Sequence, residues 1–256
     1  MSGRLQGMPA VSLAGLTWRT GGPKGTLLPE GALYWEPLEL TWGISVRKIA
    51  FAAGLLLIIA AVAVFMRAPL KDAAYDKLTE DMFVSEDADG FDPGPALGSR
   101  FPGVNARYQG RDIRRIDDFA GPNGTVFLAV RSVDWCPYCM RQVAELQASK
   151  AAYDAAGLGI VAITYDAPEL QQVFIEKQGI TYPLIQDVDA LTFKTLGILN
   201  DQYAPGDGAY GIPYPGMIVI APDGVVRGKL FVEAYSSRVD AMSSLAYAKE
   251  ALGLTP

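Results

Sequence analysis

The sequence predicts an α/β domain, a mixed central sheet flanked by helices, preceded by a single transmembrane helix. Three observations carry that prediction. Eighteen consecutive residues, Ile49 to Met66, hold no charge. From about Pro95 onward, short apolar runs alternate with amphipathic stretches. Near the end, the turn Pro222-Asp-Gly224 separates two more apolar runs, the mark of a hairpin.

The uncharged run comes first. In a helix it rises roughly 27 Å, close to the hydrocarbon thickness of a bilayer. A buried core helix is rarely apolar on every face. A cleaved signal peptide is the other alternative, and Ala61-Val62-Ala63 resembles its cleavage site, but 48 residues ahead of the run are too many for an n-region. The expected organisation is therefore a tail (1–46), a transmembrane helix (47–67), an acidic linker (68–94) and a folded domain (95–256). The tail is rich in Gly and Pro, and Trp35 and Trp42 suit the edge of a bilayer. It carries Arg4, Arg19, Lys24, Arg47 and Lys48 against Arg67, Lys71 and Lys77 after the run. That bias leans toward a single-pass protein whose domain faces the extracytoplasmic side. The linker is expected to start as a short helix through Leu78 and to continue as a solvated spacer with Glu86, Asp87, Asp89 and Asp92.

Within the domain, Val126–Val130 reads as a buried strand, followed by a helix after Cys136 with Cys139, Val143 and Leu146 on one face. Ile160–Ile163 is a second buried strand. Asp166-Ala-Pro-Glu169 has the pattern of a capped helix start. Tyr182–Ile185 is a short extended piece, and Asp189 is placed to cap a helix holding Leu191 and Leu196. Met217–Ile220 and Val225–Val232 form the hairpin, and Val239, Met242, Leu245 and Leu252 mark a closing helix. This order gives a mixed sheet with helices on both faces.

Composition removes most chemistries. There is no histidine, which excludes Ser-His-Asp and Cys-His activation and the commonest transition-metal ligand. Two cysteines cannot make a four-thiolate metal site in one chain. A net charge of −6 and a pI near 4.8 speak against nucleic acid. The remaining reactive group is the Cys136–Cys139 pair, with no metal and no further cofactor expected.

Trp135-Cys136-Pro137-Tyr138-Cys139 lies where the first strong strand ends and a helix begins. A helix N-terminus offers a positive dipole end and unpaired N–H groups, which favour the reactive thiolate. Cys136 is therefore expected to be exposed, with a depressed pKa. Pro137 suits the first helical turn, and a spacing of three puts Cys139 one turn deeper on the same face. So short a bridge restrains little chain entropy, which argues against a purely structural disulfide. Asp134 is either a proton relay or a solvated carboxylate. Trp135 either shields the disulfide and meets partners or simply packs under the loop.

From about Pro95 onward the chain resembles the thioredoxin-like redoxins of the AhpC/TSA family. The resemblance rests on Gly98-Ser-Arg-Phe-Pro102, Asp134-Trp-Cys-Pro-Tyr-Cys139, Gly211-Ile-Pro-Tyr-Pro-Gly216 and Val219-Ile-Ala-Pro-Asp-Gly224. It implies a thioredoxin-like fold, with Cys136 attacking and Cys139 resolving. It also implies that Pro215 (Pro213 being the rival) is the cis proline opposite the dithiol. Peroxidase members carry P-x-x-x-T-x-x-C, and here Ala129 and Val133 stand at the Pro and Thr positions, with Arg131 and Ser132 as the nearby polar groups. The expected activity is thiol–disulfide exchange with protein or small-molecule disulfides. The alternatives are a thiol peroxidase acting on hydroperoxides and a non-catalytic membrane-anchored binding module. The expected partners are those substrates, a thioredoxin-like or membrane reductant, and the lipid bilayer.

Overall fold

The computed structural model describes residues 46–86 and 89–254. The expectations for the tail, Trp35 and Trp42 lie outside these residues, as does Asp87. The chain divides into two units, residues 1–61 and 62–256.

The uncharged run lies in helix α1 (Val46–Leu78), and no residue of this helix is buried. Its most apolar window has a mean hydropathy of 2.8, so it is long and apolar enough to cross a membrane. Phe51 and Phe65 are more than four-fifths exposed. The helix runs through Pro69 to Leu78, where the sequence anticipated its end.

The stretch after α1 departs from the expected spacer. Thr79 and Met82 are buried. Strand β1 (Phe83–Val84) pairs in parallel with β9 (Arg238–Val239). Asp89 accepts a hydrogen bond from Glu233 N–H (2.7 Å), and the buried Lys229 reaches the Asp92 carboxylate at 2.8 Å. Acidic residues that look solvated in sequence are thus spent on fastening the segment to the domain.

Seven strands form the central sheet: β2 (Ala106–Tyr108), β3 (Arg111–Ile113), β4 (Gly124–Ala129), β5 (Leu158–Thr164), β6 (Leu184–Asp187), β7 (Gly216–Ile220) and β8 (Val226–Phe231). Their order is β3-β2-β6-β5-β4-β7-β8. β4, β5 and β6 run parallel, and β7 turns antiparallel against β4. Every residue of β4 is buried, as a strand covered on both faces requires.

Alternation along the strands splits the core in two. Val126, Leu128, Ile160, Ala162, Met217 and Val219 face one side. There they meet α2 (Pro137–Ala148), α3 (Lys150–Ala155), α4 (Pro168–Gln178) and α6 (Ala241–Ala251). Phe127, Val161, Ile163 and Ile218 face the other side, against α5 (Leu191–Leu196) and the incoming segment around Phe101 and Val104. The expected mixed sheet with helices on both faces is what forms.

Two caps differ from expectation. The N-cap of α4 is Ala167, without a side-chain cap bond, because Asp166 is engaged elsewhere. The N-cap of α5 is Ala190, and the carboxylate that accepts from Thr192 N–H (2.8 Å) and Phe193 N–H (3.1 Å) is that of Asp187, not Asp189. Asp189 and Ala190 instead make the left-handed turn before the helix.

Candidate functional site: a buried dithiol at a helix start

β4 ends at Ala129, and a six-residue loop carries the chain to Cys136, the N-cap of α2. Pro137 takes the first helical position, where its missing N–H is not needed. Met140 N–H bonds the Cys136 carbonyl at 3.0 Å, closing the first turn. That turn brings the Cys139 sulfur to 2.9 Å from the Cys136 sulfur, and both thiols are free. Cys139, Val143 and Leu146 are all buried, so the helix face read from their spacing is correct.

The loop is held by a carboxylate that sequence reading assigned to a helix cap. Asp166 accepts from Val133 N–H at 2.7 Å, from Ser132 Oγ at 2.8 Å and from Thr164 Oγ1 at 2.9 Å. Ser132 Oγ in turn accepts from the N–H groups of Asp134 and Trp135 (3.0 and 3.2 Å). Burial raises the Asp166 pKa, and the bonds from Val133, Ser132 and Thr164 work against that rise.

The remaining motif residues surround this loop. Trp135 is 38% exposed and donates from Nε1 to the Tyr165 hydroxyl at 2.8 Å. Asp134 is exposed. Tyr138 sets its ring edge-on to Tyr235, with centroids 5.8 Å apart. Arg131 is buried, with its guanidinium over the rings of Trp135 (5.3 Å) and Tyr235 (5.6 Å), and its Nε has no hydrogen-bond partner.

Pro215 is buried immediately before β7. Gly216 pairs with Ala129, which puts Pro215 at the same end of the sheet as the dithiol loop. The expectation of a cis bond is corrected, since no peptide bond among the described residues is cis. The chain enters β7 extended, with Tyr214 N–H bonded to the Ile198 carbonyl at 2.7 Å, and a trans X–Pro bond is the lower-energy form there.

The expected exposure of Cys136 is also corrected: only 2% of it is accessible, and Cys139 is fully buried. The charge lies elsewhere than expected. Hydrogen bonding to Cys139 and burial push the Cys136 thiol up. Burial acts upward on Cys139 as well. The bond from Cys136, the charge of Arg238 and N–H groups of the loop outweigh it and bring Cys139 down to about 5. Within the reduced pair, the charge of Arg238 thus favours ionisation at Cys139.

Arg238 is the residue that sequence reading missed. Lying 99 positions beyond Cys139, it points Nη2 at the Cys139 sulfur from 3.6 Å. Its Nε donates to Gln142 Oε1 at 3.0 Å, and Nη1 donates to the carbonyls of Tyr235 and Ser237. No local pattern marks it, because its partners come together only when β9 packs beside α2.

Comparison with known proteins bears on the family and the fold. The AhpC/TSA family matches residues 97–229, just over half of the chain. A putative peroxiredoxin, Bcp of Haemophilus influenzae, is 25% identical over 122 residues, covering 46% of this chain and 77% of the relative. The thiol-disulfide oxidoreductase ResA of Halalkalibacterium halodurans is 29% identical over 94 residues, 36% of this chain and 46% of the relative. A putative peroxiredoxin of Mycobacterium tuberculosis likewise matches over about half its own length. Among solved structures, reduced Prx3 from Vibrio vulnificus superposes with a TM-score of 0.53 at 20% identity, over 60% of this chain and 99% of that one. A peroxiredoxin-like protein from Aquifex aeolicus does so with a TM-score of 0.51 at 19% identity, over 62% and 90%. Both likenesses speak to a thioredoxin-like fold of the peroxiredoxin kind. A family match running over more than half its length means that the chain belongs to the AhpC/TSA family, and it is an oxidoreductase.

Proposed function

We propose that the chain is a thiol–disulfide oxidoreductase held at a membrane by α1. The contact of the two sulfurs, 2.9 Å apart at the start of a helix, carries this reading. Sulfurs already in contact need little backbone movement to become a disulfide, so the pair can give up and regain two electrons.

The reaction follows from the order of the sulfurs. Cys136 precedes the first turn and is the less buried of the two. Its proton has an acceptor in the Cys139 sulfur. Freed of it, Cys136 attacks one sulfur of a substrate disulfide, forming a mixed disulfide and expelling the other substrate sulfur as a thiolate. Cys139 then attacks Cys136, closes the protein disulfide and releases the second substrate thiol. A dithiol reductant, thioredoxin-like or membrane-borne, reverses these steps to restore the pair. Trp135 and Tyr235, both partly exposed beside the motif, offer protein substrates an aromatic surface. The lean of positive charge toward the tail favours a domain on the extracytoplasmic side.

The test uses reduction of insulin disulfides. Cys136→Ser is expected to abolish it, and Cys139→Ser to trap mixed disulfides with partners. Normal turnover by the Cys136→Ser protein would overturn the reading.

A second reading, peroxide reduction, is favoured by the relatives named putative peroxiredoxins. Here Cys136 would be oxidised to a sulfenic acid that Cys139 condenses with, releasing water. Against it, position 133 is a buried valine whose only polar contribution to the site is the N–H held by Asp166. Stopped-flow mixing with hydrogen peroxide separates the two, because a rate no faster than that of free cysteine removes the peroxidase.

A further inference from the structure

A buried cation normally has a carboxylate beside it, because an uncompensated charge in the interior is costly. Arg238 is 2% exposed, yet among the described residues no carboxylate forms an ion pair with it. Three of its hydrogen bonds go to neutral oxygens, those of Gln142, Tyr235 and Ser237. The fourth contact is the Cys139 sulfur. The other titratable groups beside it are Cys136, which feels its charge, Tyr235, whose carbonyl it binds, and Asp240, two positions along the chain. The Asp240 carboxylate is occupied by the N–H groups of Met242 and Ser243.

We propose that Arg238 is a positioning residue whose counter-charge is the Cys139 thiolate, so that it stabilises the reduced pair and makes the couple more oxidising. The inference rests on the redox reading above and adds what sets its direction. On reduction the pair takes up two electrons and one proton: the disulfide becomes the Cys136 thiol and the Cys139 thiolate. With a dithiol reductant as donor, its two sulfurs join as a disulfide and one of its protons goes to Cys136, the other to solvent. When the pair is oxidised the S–S bond consumes the thiolate, and Arg238 is left buried without an anion. The oxidised state alone bears that cost. A couple of this kind gives its disulfide away readily, and Cys139 is a good leaving group when a thiol attacks Cys136.

β9 adds a structural side to the same contact. Arg238 N–H donates to the Met82 carbonyl at 2.8 Å, and Asp240 N–H to the Val84 carbonyl at 3.0 Å. The cation is thus fixed by its backbone to β1 and by its side chain to α2, which prevents it from swinging out to solvent when its anion disappears.

The test is made on the full chain in detergent, with Arg238→Gln and Arg238→Lys beside the wild type. Equilibration against dithiothreitol or glutathione buffers gives the redox constant, and ultraviolet absorbance of the thiolate against pH gives its ionisation. Arg238→Gln keeps a hydrogen-bonding side chain without the charge. It is expected to shift the constant about tenfold toward the disulfide, equivalent to ~30 mV for a two-electron couple, and to move thiolate formation to higher pH. Arg238→Lys is expected to recover most of both. If Arg238→Gln folds and changes neither, the proposal is overturned.

If Arg238→Gln does not fold, the wild type alone decides. One proton per two electrons gives a potential slope of ~30 mV per pH unit near neutrality, whereas two protons give about 59 mV and sink the proposal. Insulin reduction separates this inference from the function it rests on. A wild type that leaves insulin intact, with the tenfold shift still found in Arg238→Gln, refutes the thiol–disulfide exchange reading and leaves the Arg238 contact standing.

Discussion

With Arg238 paired to the Cys139 thiolate as proposed, the two thiols share one proton and tie the stability of the reduced protein to pH. Cys139 is lowered from the ordinary thiol value of 9.0 to about 5, with burial opposing and the Cys136 bond and Arg238 prevailing. A lowered folded-state pKa contributes stability that is fully present above the unfolded value and lost as pH falls through the folded one. Cys136 is raised, so its contribution is present below 9.0 and lost as pH climbs beyond it. Between about 5 and 9.0 the unfolded chain therefore binds one more proton than the folded pair, and above 9.0 it binds one fewer. The disulfide form has neither thiol. The unfolding free energy of the reduced protein minus that of the oxidised one should thus rise with pH, by up to about 1.4 kcal/mol per unit, and turn over near 9.0. Urea titrations of both forms across that range measure it, and a flat difference would refute the shared-proton account. The thiol positions were legible in sequence because C-x-x-C after a strand is local. Their charge distribution was not, since it depends on Arg238, a residue 99 positions away. Asp166 was visible only as a helix cap, the commoner use of an Asp two residues ahead of a Pro.

At the level of elements, the central strands were readable because burial on both faces leaves an unbroken apolar run, as in Val126–Val130 and Met217–Ile220. The β2–β3 hairpin was not, because Arg107, Arg111 and Asp112 lie on strands of three residues each and carry no period. β1 and β9 are two residues long, below any length at which alternation can be recognised. Glycines gave no warning either of how closely β5 is approached. A Cβ on Gly159 would lie 2.1 Å from the Phe119 carbonyl oxygen and 2.6 Å from Gly121 N. Both are backbone atoms that cannot rotate away, so the chain around the Asp117–Phe119 turn would have to withdraw from the sheet. Gly159→Ala is expected to cost about 1–3 kcal/mol, the range for overpacking that displaces backbone. Gly208 has open space on all sides and no positive φ, so Gly208→Ala should stay within about 0.5 kcal/mol of the wild type. Chemical denaturation of the three proteins gives the comparison, and equal midpoints for all three would contradict the packing described here.

For the molecule as a whole, the apolar run and the redox domain pose different solvation problems. The run within α1 is apolar on every face, none of it is buried, and it is long enough to cross a membrane. This much was plain in the sequence, because eighteen uncharged residues bracketed by Arg47-Lys48 and Arg67 form a signal no folding can hide. Attachment of the 79–94 segment to the domain was hidden, since it rests on contacts with residues more than a hundred positions later. The prediction at this scale concerns the run alone. In membranes from cells expressing the full chain, alkaline carbonate should leave the protein in the pellet. Arg in place of Leu56 and Ile59 puts two charges near the middle of the run, each costing about 2.5–3.5 kcal/mol of insertion free energy. That double variant should move to the supernatant while still reducing insulin, because neither residue belongs to the unit that holds the thiols. A reporter fused after residue 80 reads the side on which the domain lies, and activity confined to the extracytoplasmic side is the expected result. Release of the wild type by carbonate would remove the anchor from the account of the protein and leave the dithiol chemistry untouched.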